Sequence, residues 1–458
     1  MARTLLSCAT VFCLLTLEVT DVLTVGKPVS RACVIGAGYS GLAVARYLQQ
    51  YGVNYTVFEA TRHIGGTWRF DPHVGTDEDG LPLFTSQYKY LRTNTPRQTM
   101  EYNGFPFPEG TPSYPSGVCF YRYLKLFANK FDLMKNIQLR SFVTSVKWAG
   151  DRWNVTYMKT DTKSDDTEQC DFLVVASGEY RFPSFPKFQG QNLFKGNIIH
   201  SHDYKEPEPY ANRRVLLVGA GASGLDLATQ LSNITAKLVH SHHLQYNQPD
   251  FSTTYVKKPD IREFTENGVF FQDGTYEDID DVIFCTGYDF EHPFLDQSTG
   301  VTTTGKYVLP LYQHTVNIRH PSMTFVGKSK RVINKVMEVQ AEYAAALASA
   351  KFQLPNQESM LKTWLDHVYS LQAQGLKIVD VNVIGSQMDN YFGNMTAEAG
   401  VVRTPPVITD IRDFNAKNRL EDLLNYRDYD YELIDDNRYR RWYNKREGFP
   451  CPIDDLEI

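Results

Sequence analysis

Charge of one sign is not in excess in this chain: 47 Lys and Arg stand against 53 Asp and Glu over 458 residues, a formal net charge of −6. With no basic stretch to neutralise a run of phosphates, a nucleic-acid partner is disfavoured. Long hydrophobic runs are missing as well. The longest charge-free apolar segment, Leu5 to Leu17 (LLSCATVFCLLTL), has thirteen residues, short of the ~20 that span a bilayer, so no stable membrane anchor is expected. Cysteines are few and never spaced Cys-x-x-Cys, which removes the paired ligands of a zinc site and the redox pair of a disulfide reductase. Cys8 and Cys13 lie in the apolar segment. The other five, Cys33, Cys119, Cys170, Cys285 and Cys451, are odd in number and lack paired spacing, so no disulfide framework is expected. No low-complexity tract, short-period repeat, Ser-His-Asp set or carboxylate pair stands out.

What is present is globular. Hydrophobic residues make up 42% and charged residues 22%, and the length is about three times the ~150 residues of a typical domain, so two or more cores are expected. Arg3 followed by the short apolar run reads as a secretory leader over residues 1–22, cleaved between 17 and 27, with an N-terminal strand or anchor as the alternative. Sequons at Asn54, Asn154, Asn233 and Asn394 suit a secreted glycoprotein, although roughly three would arise by chance.

Two stretches carry most of the information. Arg31-Ala-Cys-Val-Ile-Gly-Ala-Gly-Tyr-Ser-Gly-Leu is an apolar strand, a glycine-rich turn and the start of an amphipathic helix, with a second strand expected from Asn54 to Glu59. Gly36, Gly38 and Gly41 form GxGxxG: one glycine for the tight turn, one for backbone approach to a pyrophosphate, one for close helix packing. Glu59, 23 residues after Gly36, stands where a carboxylate accepts hydrogen bonds from an adenosine ribose. The pattern returns 183 residues later in Arg214-Val-Leu-Leu-Val-Gly-Ala-Gly-Ala-Ser-Gly-Leu, with Gly219, Gly221 and Gly224, a helix to about Ser232 and a strand from Ala236 to His240. Two complete dinucleotide folds argue for two dinucleotides.

Between them, Ser141–Trp148 and Arg152–Met158 read as hairpin strands, and Asp171–Gly178 as a buried strand matched by Asp281–Gly287. Ser322–Gly327 would return the chain to the first sheet, followed by helices over about 332–351 and 356–376. The expected architecture is α/β, with two Rossmann-like domains and the second inserted in the first. Residues 28–180 and 306–458 belong to one, the latter including the C-terminal tail, and 181–305 to the other. In the tail, Tyr426, Tyr429, Tyr431, Tyr439, Trp442 and Tyr443 alternate with charged residues and read as aromatic anchors wrapping the surface, or else as the wall of a substrate entrance or subunit contact.

The order of these motifs resembles the flavin-containing monooxygenases over most of the span from Arg31 to Lys351. The most specific element is Phe194-Lys-Gly-Asn-Ile-Ile-His-Ser-His-Asp-Tyr204, which matches the family's FxGxxxHxxxY signature at Phe194, Gly196, His200 and Tyr204. The related Baeyer–Villiger enzymes carry Trp at the last position, so Tyr204 points to heteroatom oxygenation. The resemblance implies FAD in the first fold and NADPH in the second. It extends the cofactor-contacting set to Tyr39, Ser40, Gly66, Thr67, Trp68, Asn94, Thr95, Val143, Tyr204, Ser223, His242, His243, Thr286, Gly287, Gly327 and Gln340. Asn94, in Leu91-Arg-Thr-Asn-Thr-Pro, is the implied catalytic residue, an amide beside the reactive flavin carbon; a turn before Pro96 would account for it locally.

The implied chemistry is hydride transfer from NADPH to FAD, capture of oxygen as a C4a-hydroperoxide, and attack on its distal oxygen by a neutral amine or sulfide. Where the family commonly has arginine for the 2′-phosphate of NADPH, this chain has His240-Ser-His-His243, and Glu342 replaces an arginine two positions after Gln340. His240 and His242 alternate onto one strand face, yet no third ligand is evident and no metal is expected. The leader and the missing C-terminal anchor resemble the secreted insect branch, the haemolymph senecionine N-oxygenases that act on plant pyrrolizidine alkaloids. That branch implies extracellular detoxification of a tertiary amine with molecular oxygen. An NAD(P)H oxidase releasing H2O2 and a flavin- or alkaloid-binding protein without turnover are the alternatives. The oligomeric state stays open.

Overall fold

The computed structural model describes residues 27–448 and 450–453; the expected leader lies outside them. The runs Ala32–Ile35, Tyr55–Phe58 and Phe172–Val175 lack apolar–polar alternation, the mark of strands covered on both faces, and every residue in them is buried. They form the parallel centre of a seven-stranded sheet. Its order in space is Leu311–Tyr312, Val316–Asn317, Met323–Phe325, Phe172–Val175, Ala32–Ile35, Tyr55–Phe58 and Ile137–Gln138. A second, five-stranded sheet runs Tyr255–Lys258, Lys237–Ser241, Arg214–Val218, Asp281–Phe284 and Asn197–His200, all parallel. Its residues fall between Phe172–Val175 and Leu311–Tyr312 of the first sheet, so the second fold is inserted in the first.

The two folds share a plan. In each, a glycine turn leads into a helix, Tyr39–Gln50 in the first and Ala222–Leu231 in the second. In each, a three-stranded antiparallel meander precedes the strand that closes the sheet: Ser141–Trp148, Trp153–Lys159 and Asp165–Cys170 in the first, Ile261–Phe264, Gly268–Phe271 and Tyr276–Asp278 in the second. The third strand of the first meander, exposed and acidic, has no apolar pattern from which it could be read. Helix Asn334–Ala348 packs on helix Tyr39–Gln50; its alanines, Ala341, Ala344, Ala345, Ala346 and Ala348, are all buried, small side chains that suit a close packing of helices.

Beyond it come helices Gln357–Ala373, Met388–Ala399 and Pro406–Glu421, then a hairpin of Tyr429–Asp435 and Arg438–Tyr443. Tyr426 and Tyr431 are buried, with rings edge-on to Tyr114 at 5.5 and 6.2 Å, whereas Trp442 and Tyr443 are exposed. The tail is thus anchored at its base and open at its outer strand. Among the described residues, no helix is long and apolar enough to cross a membrane.

The cysteines depart from expectation. Cys33 is bonded to Cys170 and Cys119 to Cys451, leaving Cys285, buried, as the free thiol among the described residues. The partners lie 137 and 332 residues apart in sequence, so no local spacing reveals them. Cys33 sits in strand Ala32–Ile35, and Cys170 ends the meander that feeds the neighbouring strand. The odd count reflects one thiol left over rather than the absence of bridges. Labelling of the denatured, unreduced chain is expected to find one free thiol among these five cysteines and, after reduction, all five. Cys451→Ser, which opens the longer loop, is expected to lower the melting midpoint by several degrees, since losing a native disulfide costs about 2–5 kcal/mol.

Candidate cofactor cavity between the two folds

A cavity of about 510 Å³ lies where the two folds meet. Its floor is the first glycine turn. Gly36 has φ +100°, and a Cβ there would stand 2.7 Å from the Ala176 carbonyl oxygen; a Cβ on Gly41 would fall 1.8 Å from the oxygen of Gly36. Only glycine at both places lets helix Tyr39–Gln50 sit directly on the turn. Gly38, the N-cap, offers no side chain to the helix end. The first-turn N–H groups therefore have no capping acceptor at a point where Gly38, Tyr39 and Ser40 all line the cavity, an arrangement that suits a phosphate. Gly66 closes over the same spot, 3.6 Å from where a Gly38 Cβ would be.

Glu59 stands at the end of strand Tyr55–Phe58, buried, with its carboxylate divided between fold and cavity. Oε1 accepts from the Thr61 N–H at 3.0 Å and the Thr61 hydroxyl at 2.9 Å, and Oε2 accepts from the Ala37 N–H at 2.8 Å. A carboxylate has about four acceptor positions; these bonds take three, the Ala60 N–H also bears on the group, and Glu59 borders the cavity where a ribose hydroxyl would share it. Burial raises the Glu59 pKa, with the bonds from Thr61 and Ala37 working in the other direction.

Other expected residues join this wall. Thr67 and Trp68 line it, the Thr67 hydroxyl 3.2 Å from that of Ser86 and the Trp68 ring 4.3 Å from that of Phe120. Val143 reaches it from the first meander. Asn94 and Thr95 line it as well, and no described protein group bonds the Asn94 amide; the backbone carbonyl is the part that is held. Gly327 lines it too, at φ +83°. Gln340 stands behind the wall: fully buried, it accepts from the Gly327 N–H at 3.0 Å and donates to the Ser329 hydroxyl at 2.9 Å. Glu342 faces away, binding the Tyr51 hydroxyl and the Val402 N–H.

The second fold repeats the turn. Gly219 has φ +97°, and a Gly224 Cβ would fall 2.0 Å from the Gly219 oxygen, while a Cβ on Gly221 would meet nothing within 4 Å. That open space suits a second dinucleotide. From this fold Ala222, Ser223 and Asp226 reach the shared cavity, and Gly219, Gly221 and Gly224 stand outside it. Tyr204 is not in the cavity: fully buried, its hydroxyl donates to Gln230 at 3.0 Å and its ring meets Tyr88 at 5.5 Å. Thr286 donates to the Ser184 carbonyl at 2.6 Å, and Gly287 turns the chain at φ +78°; both lie outside the cavity.

At the strand end of the second fold, His240 bridges the Gly219 carbonyl and the Tyr255 hydroxyl. His242 is buried with neither ring nitrogen bonded, and burial pushes its pKa down to about 3, so it is neutral at neutral pH. His243 is exposed and meets Asp260 at 2.7 Å. Among the described residues no group of three or more His, Cys, Asp or Glu is placed to hold a metal.

Sequence reasoning missed the junction at one end of the cavity. Asp226 receives the Tyr88 hydroxyl at 2.6 Å and Arg427 at 2.5 Å, and Tyr88, Asp226 and Arg427 all line the cavity. One signal was readable: after the last glycine of each turn the first fold has Leu-Ala and the second Leu-Asp, an acid on an otherwise apolar helix. Arg427 carried no such signal. It comes from the aromatic tail, which therefore both anchors itself and supplies cavity wall.

Glu59→Gln places an amide donor against the N–H groups of Ala37 and Thr61 and removes a charge-assisted acceptor worth about 1.5–3 kcal/mol. FAD affinity, read from flavin fluorescence on titration, is expected to fall roughly 10- to 100-fold.

A model of the flavin-binding monooxygenase-like family matches residues 29–244 and 251–410. The chain is 53% identical over 96% of its length, and 98% of the relative's, to senecionine N-oxygenase of Tyria jacobaeae. Among solved structures it is similar to the S-allyl-L-cysteine S-oxygenase of Allium sativum, with a TM-score of 0.81, 27% identity and coverage of 87% of this chain and 94% of that one. The fold is likewise shared with Tmm of a Pelagibacter strain, at a TM-score of 0.78 and 23% identity over 87% and 93% of the two chains.

Proposed function

The chain belongs to the flavin-binding monooxygenase-like family, and from that premise we propose that it N-oxygenates a plant alkaloid with a tertiary amine, of the pyrrolizidine type. It is an FAD- and NADPH-dependent monooxygenase, and it takes a small-molecule substrate and molecular oxygen. The observation that carries the substrate reading is the near full-length likeness to a senecionine N-oxygenase. When bound, FAD reduced by NADPH supplies the oxygen-activating chemistry.

This chain's residues have the remaining tasks. In this reading the helix end at Gly38, Tyr39 and Ser40, with Gly36 and Gly41 shaping it, cradles the FAD pyrophosphate. Glu59 holds the ribose, Gly66, Thr67, Trp68, Val143 and Gly327 shape the wall, and Gln340 keeps Gly327 in place. Asn94 turns its unclaimed amide toward the reacting groups. Gly219, Gly221, Ser223 and Gly224 take NADPH, with His242 and His243 as neighbours of its adenosine; Tyr204, Thr286 and Gly287 set the frame. No acid–base pair is needed, because a neutral tertiary amine already has its lone pair. The enclosing wall excludes water until substrate arrives.

The reading extends to a secreted protein. The two disulfides support it, because such bonds persist in oxidising compartments, and the polar N-oxide product suits extracellular detoxification.

The test is stopped-flow spectroscopy of the purified chain in air, following FAD absorbance and NADPH consumption with and without senecionine. N-oxide formed in step with NADPH consumed is the expected result. Flavin that reoxidises to give only H2O2, whether or not alkaloid is present, would replace this reading with an oxidase, and flavin left oxidised by NADPH would replace it with a binding protein.

A further inference from the structure

We propose that Arg427, on the C-terminal tail, is a positioning residue for the reaction end of the cavity, fixing the loop that carries Asn94 and tying that loop to the second fold. The proposal deepens the monooxygenase reading and rests on it for what the loop is used for; the geometry stands by itself.

All three guanidinium nitrogens are engaged. Nε donates to the Thr93 carbonyl at 3.1 Å, Nη2 to the Arg92 carbonyl at 3.4 Å, and Nη1 to Asp226 Oδ1 at 2.5 Å. The next carbonyl along, that of Asn94, accepts from the Asn415 amide at 2.9 Å, and Asn415 is itself held by the Tyr114 hydroxyl at 2.6 Å. Three consecutive carbonyls of the Asn94 loop are therefore gripped by side chains from beyond residue 410. The grip is returned, since Arg92 Nη2 donates to the Arg427 carbonyl at 2.8 Å. Asp226 completes the junction by accepting the Tyr88 hydroxyl with its other oxygen.

These groups are shielded from water. The Arg427 side chain is 16% exposed and that of Asp226 8%. Burial works against the charge on Arg427, but the Asp226 carboxylate outweighs it and Arg427 is held firmly cationic. A planar, three-directional donor is what the site uses, and lysine, a single point charge, does not reproduce it.

The consequence is a matter of placement. With the backbone of residues 92–94 clamped from behind, the Asn94 side chain presents one face to the cavity. A shift of about 1 Å in such a group can cost on the order of 100-fold in rate. Loosening the clamp is expected to divert turnover from NADPH + H+ + O2 + R3N → NADP+ + R3NO + H2O to NADPH + H+ + O2 → NADP+ + H2O2. The same electrons then reduce oxygen without transferring an atom to the amine.

The experiment compares wild type, Arg427→Met, Arg427→Lys and Arg427→Ala as FAD-bound full-length enzymes, with melting temperature and FAD content measured for each. Two readouts are taken: the H2O2 released per NADPH consumed in the presence of senecionine, and hydrogen exchange of the amides in residues 91–97. Arg427→Met is expected to raise the H2O2 share several-fold and to speed exchange in that segment, with Arg427→Lys closer to Met than to wild type. Millimolar guanidinium is expected to restore slow exchange and coupling to Arg427→Ala. Slow exchange in residues 91–97 with unchanged coupling in a folded Arg427→Met enzyme would overturn the proposal. If Met does not fold, Arg427→Ala decides: failure of guanidinium to slow exchange there overturns it too. A wild type that yields no N-oxide removes the substrate reading, while the exchange measurement still decides whether Arg427 holds the loop.

Discussion

The closest backbone contact at the site is between the first helix and the turn beneath it, and the rest of the site depends on it. The distance from the Gly36 oxygen to a Gly41 Cβ would be 1.8 Å, so no side chain of any size fits, and the helix end is driven down onto the strand that precedes it. This seating brings the uncapped N–H groups of the first turn to the cavity floor and places the Ala37 N–H within reach of Glu59. The second fold obeys the same constraint with Gly224 over Gly219. Two helix ends with the same polarity, both reaching the shared cavity and the second with open space over Gly221, suit anions without a single arginine or lysine at either turn.

Insertion of one fold in the other brings these two helix ends to one cavity. The chain leaves the first sheet after Phe172–Val175, builds the second sheet, and returns at Leu311–Tyr312. Both crossings border the cavity: Ser177, Gly178 and Tyr180 line it on the way out, and Tyr288 and Phe294 on the way back. The two folds are thereby connected twice, which limits how far they can separate, and the tail adds a third link through Arg427 and Asp226.

The legible parts of the molecule were those whose signal is local. A strand, a glycine turn and a helix fall within some twenty residues, and the acid that ends the next strand is placed by the same backbone arithmetic, so Gly36, Gly41 and Glu59 could be assigned from spacing. Asn94 was reached through resemblance, and its position in the cavity wall depends on partners far along the chain. What stayed hidden were pairings chosen by topology. Cys33 meets Cys170 because the strand that follows Cys170, Phe172–Val175, pairs with Ala32–Ile35, and Arg427 meets Asp226 across 201 residues. Tyr204 and Gln340 show a different limit. A motif records that a residue type belongs at a position, but not whether it touches the ligand or, as here, buries itself behind the groups that line the wall.

The tail illustrates why such distant pairings need reinforcement. Closing a long loop against a small patch is entropically costly, and the cost grows slowly with loop length. The segment after helix Pro406–Glu421 is therefore fastened at both ends. Upstream, Tyr426 and Arg427 are buried at the junction; downstream, Arg446 pairs with Asp430 and Cys451 is bonded to Cys119. Cys119 adjoins Phe120, whose ring rests on Trp68 in the cavity wall. The hairpin between can expose Trp442 and Tyr443 to solvent without disturbing the site, because the residues that touch the cavity lie at its fastened base. The bridge shrinks the ensemble of the unfolded chain, while Arg427 is held against the Asn94 loop by its own bonds to the Arg92 and Thr93 carbonyls and to Asp226.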